Sequence, residues 1–121
     1  MLLVIISLDT LSSKVLEMRQ TLQSILDSIK TEPGCIRRCV FMDIQKENRF
    51  ILMEEWKTRG SLEKHFYSHQ FSILLGTKTL LTEPMDMKVL TIVNIERPFD
   101  FASLRVDNEF KKNNGNSGCV Q

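Results

Sequence analysis

The chain begins with an apolar run that has no polar side to turn toward water. Residues 2–6 read LLVII, so that even and odd positions are both apolar. Because successive side chains of a strand point to opposite faces, this run predicts a strand that is buried on both faces. A second such run, VLTIV, follows at 89–93. A fold for this chain must therefore cover both faces of its sheet.

The residues between these two strands predict helices and a hairpin. An apolar stripe at spacings of three and four indicates a first helix, and the stripe consists of Val15, Met18, Leu22, Ile25 and Ile29. The segment TEPG at 31–34 is expected to end this helix. Ser12 or Ser13 is the expected cap of this helix. CIRRCVFMDIQ and RFILMEEW then alternate as two hairpin strands around a turn at 46–48, with Ile36, Val40, Met42 and Ile44 expected on one face.

Two caps are expected after the hairpin. Thr58 begins a short helix with Leu62, His65 and Phe66 on one face, and Ser68 begins the next helix. The order β-α-β-β-α-β predicts an α+β, ferredoxin-like antiparallel sheet with its helices on one face. We expect this domain to span residues 1–97, with a partly irregular C-terminal extension over 98–121. Since the helices cover one face only, the other apolar face predicts a two-fold homodimer, sheet against sheet.

Charge and cysteine usage limit the partners and the compartment. The chain has 16 basic and 15 acidic residues, so its charge gives no reason to expect a nucleic acid or an anionic membrane. The N-terminal run is too short to cross a membrane. Three cysteines are too few and odd in number for a disulfide framework, which predicts reduced thiols and a cytoplasmic protein.

One stretch, EEWKTRGSLEKHFYSHQF at 54–71, holds the only tryptophan, the only tyrosine and both histidines. His65 and His69 have the i, i+4 spacing of metal ligands, but Phe66 stands where a zincin has its glutamate. Ser68, as a cap, would also separate the two rings. The chain has no glycine-rich motif that would cradle a nucleotide. We therefore expect no transition metal and no flavin.

Four segments resemble the antibiotic biosynthesis monooxygenase family, of the quinol monooxygenase type: EPGC at 32–35, FILMEEW at 50–56, LEKHFYSHQF at 62–71 and LLTEP at 80–84. The resemblance implies a dimeric α/β barrel with a pocket between sheet and helices. It also implies a reaction without metal or flavin, in which a small aromatic substrate supplies electrons to molecular oxygen. The family's asparagine near the strand tryptophan is absent here, because Phe50, Leu52 and Glu54 share the face of Trp56.

Two functions follow as hypotheses. In the first, a cofactor-independent monooxygenase acts on a small quinol or polycyclic phenol, with His65 as proton acceptor and Glu54 assisting. The residues expected to contact the substrate are Trp56, Phe50, His69 and Arg38. In the second, the chain is a non-catalytic small-molecule binder or stress-associated dimer, with His65 a satisfied helix residue and Glu54 part of a structural ion pair. An apolar cavity of roughly 300 Å³ or more would favour the enzyme.

Overall fold

The computed structural model describes residues 1–28, 32–103 and 119–120 and has the predicted α+β architecture. Its strands are β1 (Leu2–Asp9), β2 (Cys35–Met42), β3 (Arg49–Trp56), β4 (Asp86–Thr91) and β5 (Cys119–Val120). Its α-helices are α1 (Val15–Asp27), α2 (Arg59–Phe66) and α3 (His69–Gly76). Short 3-10 turns span Ser12–Lys14, Thr77–Leu80 and Phe101–Ser103. The sheet is antiparallel in the order β4-β1-β3-β2-β5, and it is open rather than closed into a barrel.

The three helices pack on one face of the sheet. Even-numbered side chains of β1 and β3 bury against the apolar stripes of the helices, and this core contains Leu2, Val4, Ile6, Leu8, Met18, Leu22, Ile25, Phe50, Leu52, Trp56, Leu62, Phe71 and Leu74. Burying one such large side chain contributes about 1.5–3 kcal/mol. On the opposite face Leu3, Ile5 and Ser7 of β1 are only half-buried. The period-two pattern therefore divides the sheet into a covered and an open face.

Strand β2 departs from the predicted alternation. A register shift lies between Cys35 and Arg37, after which Arg38 stands opposite Glu54 on the covered face. Arg38 is fully buried, whereas Ile36 is 37% exposed and Ile44, beyond the strand, is 98% exposed. Ile36 lies at the bulge and Ile44 beyond the strand, so the shared face expected for Ile36, Val40, Met42 and Ile44 holds only for Val40 and Met42, which stand opposite Leu52 and Phe50.

The helix starts are set by local hydrogen bonds. Thr58 and Ser68 cap α2 and α3 as predicted, since their hydroxyls accept from the backbone N–H groups of Ser61 and Phe71. α2 ends at Phe66, so Ser68 separates the two histidine-bearing helices. The expected cap at Ser12 or Ser13 is wrong, because both lie in a 3-10 turn that leads into α1 without a side-chain cap.

The C-terminal extension takes part in the sheet. Strand β5 pairs with β2, with Arg38 opposite Val120 and Cys39 opposite Cys119. Cys39 is disulfide-bonded and Cys35 is a free thiol, so the expectation of reduced thiols is wrong for Cys39. No helix in the described residues is both long and apolar enough to span a membrane.

Candidate functional site

The end of β3 and the face of α2 bring an indole and an imidazole together. Trp56 is the last residue of β3, and His65 lies on the inner stripe of α2 beside Leu62. The two ring centroids are 4.7 Å apart with the planes tilted by 35°. His65 is only 4% exposed and Trp56 1%, so the histidine ring lies toward the sheet rather than in solvent.

A buried ion pair lies beneath these rings. Glu54, two residues before Trp56 on the same face of β3, is 1% exposed. Its Oε2 accepts from Arg38 Nε at 2.5 Å, and its Oε1 accepts from the indole N–H at 3.2 Å. Arg38 also donates to the carbonyl of Ile25 at the end of α1. Both ionic groups are therefore satisfied, as burial of charge requires.

Glu32 is the site residue that the sequence reasoning did not select. It follows α1 in the EPGC segment, and its Oε2 is 2.5 Å from His65 Nδ1. Its other oxygen accepts from Arg38 Nη2 at 3.1 Å. The signal available in the sequence was an acidic residue in the turn directly before the strand that carries Arg38.

These four side chains form a closed ring of alternating charge, which we call the ion ring: Glu32, Arg38, Glu54 and His65. The ring closes where His65 Nε2 lies 3.6 Å from Glu54 Oε1, a distance beyond a hydrogen bond. With a neutral imidazole the ion ring carries one net negative charge, and with an imidazolium its charges balance. The imidazole therefore lies between two carboxylates that an arginine holds in place.

The pKa shifts follow from the same contacts. Burial by itself would raise the pKa of Glu32, but hydrogen bonding to His65 and the charge of Arg38 outweigh it and lower that pKa. Burial by itself would lower the pKa of Arg38, but the Glu54 and Glu32 carboxylates hold it above its ordinary value. Burial raises the pKa of the neighbouring Cys35 thiol to about 11, so this cysteine is a poor nucleophile.

A cavity of about 240 Å³ opens beside His65. Its lining residues are Glu32, Pro33, Trp56, Ser61, Lys64, His65, Ser68 and Gln70. Glu32 and Ser68 both lie nearest His65 Nδ1, whereas Glu54, outside the lining, is on the Nε2 side. A carboxylate only accepts hydrogen bonds, so the 2.5 Å contact with Glu32 places the imidazole proton on Nδ1.

Two larger cavities have different linings. A larger apolar one of about 360 Å³ lies between α3 and the segment before β4, with Lys78 as its one ionisable lining residue. A polar groove of about 770 Å³ runs between the start of α1 and the β2–β3 turn. In the described part of the chain no three His, Cys, Asp or Glu side chains are arranged to hold a metal ion.

The structure does not bring every predicted residue to this cavity. Phe50 is buried at the other end of β3, opposite Leu8 and Met42. It lies six positions before Trp56, which corresponds to about 20 Å along the strand. His69 begins α3, and its neighbour Gln70 lines the cavity instead. His65, Glu54, Trp56 and Arg38 are in mutual contact, directly or through one another.

Gly34 sets how closely α2 approaches the loop that carries Glu32. Its φ is +87°, a conformation that favours glycine. A Cβ at this position would lie 2.3 Å from Ser61 Oγ in the first turn of α2. The Gly34 carbonyl also accepts from the backbone N–H of Lys57. Glycine here therefore permits the close contact that places His65 against Glu32.

Comparison with known proteins agrees with this fold. A structure from Deinococcus radiodurans that carries the name antibiotic biosynthesis monooxygenase has a TM-score of 0.75 at 18% identity and covers 83% of this chain and 100% of that one. A conserved protein from Methanosarcina mazei has a TM-score of 0.70 at 24% identity and covers 74% of this chain and 89% of that one. At these identities the likeness shows the fold.

Sequence comparison identifies the family. An uncharacterized protein from a Synechocystis species is 30% identical over 77 residues, which cover 61% of this chain and 51% of the relative. The chain thus spans about half the length of this curated relative. The family model described as antibiotic biosynthesis monooxygenase matches residues 1–72, more than half of the chain. The chain therefore belongs to the antibiotic biosynthesis monooxygenase family.

Proposed function

We propose that this chain is a cofactor-independent monooxygenase that removes the proton of a small quinol or phenol at His65. The observation that carries the proposal is the contact between Glu32 and His65 Nδ1 on the wall of the cavity. A base that a carboxylate orients from one side is the usual arrangement in general-base catalysis. Family membership and the monooxygenase-named fold relatives support the same reaction class.

The proposed proton transfer uses both carboxylates beside the ring. In the substrate complex the imidazole donates its Nδ1 proton to Glu32, and Nε2 accepts the proton of the substrate hydroxyl. The positive charge that forms is then stabilised by Glu32 and Glu54, which lie within 3.6 Å of the two ring nitrogens. Proton uptake balances the charge of the ion ring, which is favourable where water is excluded.

The oxygen step follows from the electron-rich anion. Molecular oxygen adds to a ring carbon that bears a hydrogen, and the proton on His65 returns to complete a hydroperoxide. Loss of water from this hydroperoxide leaves a carbonyl at that carbon. One oxygen atom thus enters the product and the other leaves as water, with all electrons supplied by the substrate.

The cavity volume favours a single-ring substrate. At about 240 Å³, with Glu32, Lys64 and Gln70 in its lining, it falls short of the apolar cavity of roughly 300 Å³ that would favour the enzyme, so this criterion favours the binder. An apolar cavity of ~150 Å³ accommodates benzene, so the volume suits one substituted ring better than a polycyclic phenol. Lys64 and Gln70 at the lining supply donors for a polar substituent.

We further propose that two copies associate through their open sheet faces. Leu3 and Leu90 are direct partners across β1 and β4 on this face, and Leu90 is 41% exposed. Ile5 pairs with Met53 on the same face. The face also carries Glu55 and Lys88, but its apolar side chains are costly to leave in water, and a two-fold partner would cover them.

A non-catalytic binding role is the second candidate. The observation that favours it is that Nδ1 is already engaged by Glu32 and that His65 is 4% exposed. In this case the ion ring would serve the packing of α2 on the sheet. Trp56 would then report ligand binding without turnover.

Oxygen uptake separates the two candidates. We expect the purified protein to consume oxygen with a single-ring quinol, and His65→Ala to lower turnover by about 10²–10⁴-fold. Tyr67→Ala, at a 92% exposed position, is the matched control and should retain turnover. Quenching of Trp56 fluorescence by a panel of quinols without any oxygen uptake would support the binder and overturn the enzyme.

A further inference from the structure

The cavity beside His65 is lined by a cation that no described residue neutralises. The ionisable residues of the lining are Glu32, Lys64 and His65. Both oxygens of Glu32 are engaged, one by Arg38 Nη2 at 3.1 Å and the other by His65 Nδ1 at 2.5 Å. Lys64 is exposed, and within residues 1–28, 32–103 and 119–120 its ammonium has neither an ion pair nor a hydrogen bond. The charge that this lining offers to a ligand is therefore positive.

Uncharged donors accompany this cation. The Ser61 hydroxyl accepts from Thr58 Oγ1 at 3.0 Å, which leaves its own hydrogen to donate. Gln70 adds a carboxamide whose side chain has no hydrogen bond to the part of the chain that the structure describes. A carboxylate has two oxygens that only accept hydrogen bonds. The lining thus combines donors for a carboxylate with the indole of Trp56, against which an aromatic ring can pack.

We infer that Lys64 selects a single-ring phenol that carries a carboxylate, and that it binds this carboxylate away from the ion ring. The ion ring has one net negative charge while its imidazole is neutral, so it disfavours an anion beside His65. Consecutive residues of a helix project about 100° apart, so the Lys64 and His65 side chains reach different parts of the cavity. The ligand is thereby oriented with its hydroxyl at the imidazole and its carboxylate at the ammonium.

This inference rests on the proposed function for the place where the ligand binds, but it concerns affinity and not turnover. The contribution of Lys64 is limited, because water screens the charge of an exposed ammonium. A charge-assisted hydrogen bond to the carboxylate adds to the ion pair. We therefore expect a preference of about three- to tenfold for a carboxylate over a neutral group of similar size.

Calorimetric titration of the full chain under nitrogen measures this preference without turnover. Gentisate is a hydroquinone that carries a carboxylate, and gentisyl alcohol has a hydroxymethyl group in its place. The wild type should bind gentisate about three- to tenfold more tightly than gentisyl alcohol, and added salt should reduce this ratio. Lys64→Met should lose the preference, whereas Lys64→Arg, which keeps the charge, should retain it.

Lys78→Met is the matched control, because Lys78 is also exposed but lines the apolar cavity before β4. This variant should keep the preference of the wild type. The inference fails if the wild type binds neither compound, if it binds both equally, or if Lys64→Met keeps the preference.

Oxygen uptake distinguishes this inference from the proposed reaction. A preference for gentisate that depends on Lys64, with no oxygen uptake from any quinol, would leave the inference intact and overturn the oxygenase. Oxygen uptake that depends on His65, with equal affinity for gentisate and gentisyl alcohol, would overturn the inference and leave the oxygenase intact.

Discussion

His65 Nδ1 lies 2.5 Å from Glu32 Oε2, although 33 positions separate the two residues in the chain. The contact joins the turn after α1 to the face of α2, at the wall of the cavity. It makes Glu32 the acidic partner of the histidine on the cavity side. Glu54, which is 1% exposed, lies 3.6 Å from the other ring nitrogen.

We predict that Glu32→Gln lowers turnover on a single-ring quinol by about 10- to 100-fold. The variant keeps the shape but loses a charge-assisted hydrogen bond, which contributes about 1.5–3 kcal/mol. Initial rates of oxygen uptake give the measurement, and Glu63→Gln on the exposed side of α2 is the control. Full activity in Glu32→Gln would show that the carboxylate does not stabilise the imidazolium.

Arg38→Met should destabilise the fold by about 3–5 kcal/mol, because two carboxylates then stay buried without their cation. Urea unfolding followed by Trp56 fluorescence measures this change. Arg59→Met, at an exposed position of α2, should change stability by less than about 0.5 kcal/mol. Adding Glu54→Gln to Arg38→Met should restore part of the loss, and a simple sum of the two losses would argue against direct coupling.

Acid should weaken the fold partly through Asp9. Hydrogen bonds from Arg49 hold the pKa of Asp9 well below its ordinary value of 3.8. Because the folded pKa is the lower one, the contribution is complete above the unfolded value and is lost as pH falls below about 4. The melting temperature of Asp9→Asn should therefore fall less steeply than that of the wild type between pH 5 and pH 2, because the variant has one perturbed carboxylate fewer to protonate. Identical pH slopes in both proteins would contradict this origin.

Gly34→Ala should cost more than about 1 kcal/mol, since the position has a positive φ and Cβ would meet Ser61. Relief of the clash requires α2 to move outward, which lengthens the His65–Glu32 contact. Thermal unfolding measures the loss of stability, and quenching of Trp56 fluorescence by a quinol measures whether the site still binds. Gly76→Ala is the control, because a Cβ there meets nothing within 4 Å and alanine favours a helix.

The dimer proposal predicts that Leu90→Asp dissociates the protein into monomers. A carboxylate in an apolar interface loses its hydration without gaining a partner. Val89→Asp is the matched control, because Val89 is 39% exposed on the same strand but lies on the opposite face. Sedimentation at micromolar concentration gives the mass. A monomeric wild type would contradict the proposal directly.

The architecture was predictable because its signals are local. Alternation in RFILMEEW, the stripe of α1 and the hydroxyl caps Thr58 and Ser68 each depend on neighbours within a few positions. The order of these elements then leaves few ways to pair the strands. The convergence of Trp56 and Glu54 follows from strand parity alone.

The rest depended on contacts distant in sequence. The bulge after Cys35 has no marker in the residues around it, yet it sets the register in which Arg38 stands opposite Glu54. The pairing of Glu32 with His65 arises only once α1 and α2 have packed on the same face. Strand β5 follows a polar stretch without periodicity, so pattern analysis could not place it in the sheet.

The ion ring has a consequence for the order in which the chain becomes functional. Its four members come from the turn after α1, from β2, from β3 and from α2, and each has two of the others as its charged neighbours. A nascent or partly unfolded chain that lacks any one of these segments would have to solvate the remaining charges, which keeps α2 from docking. Competence to bind a ligand and completion of the native structure are therefore a single event.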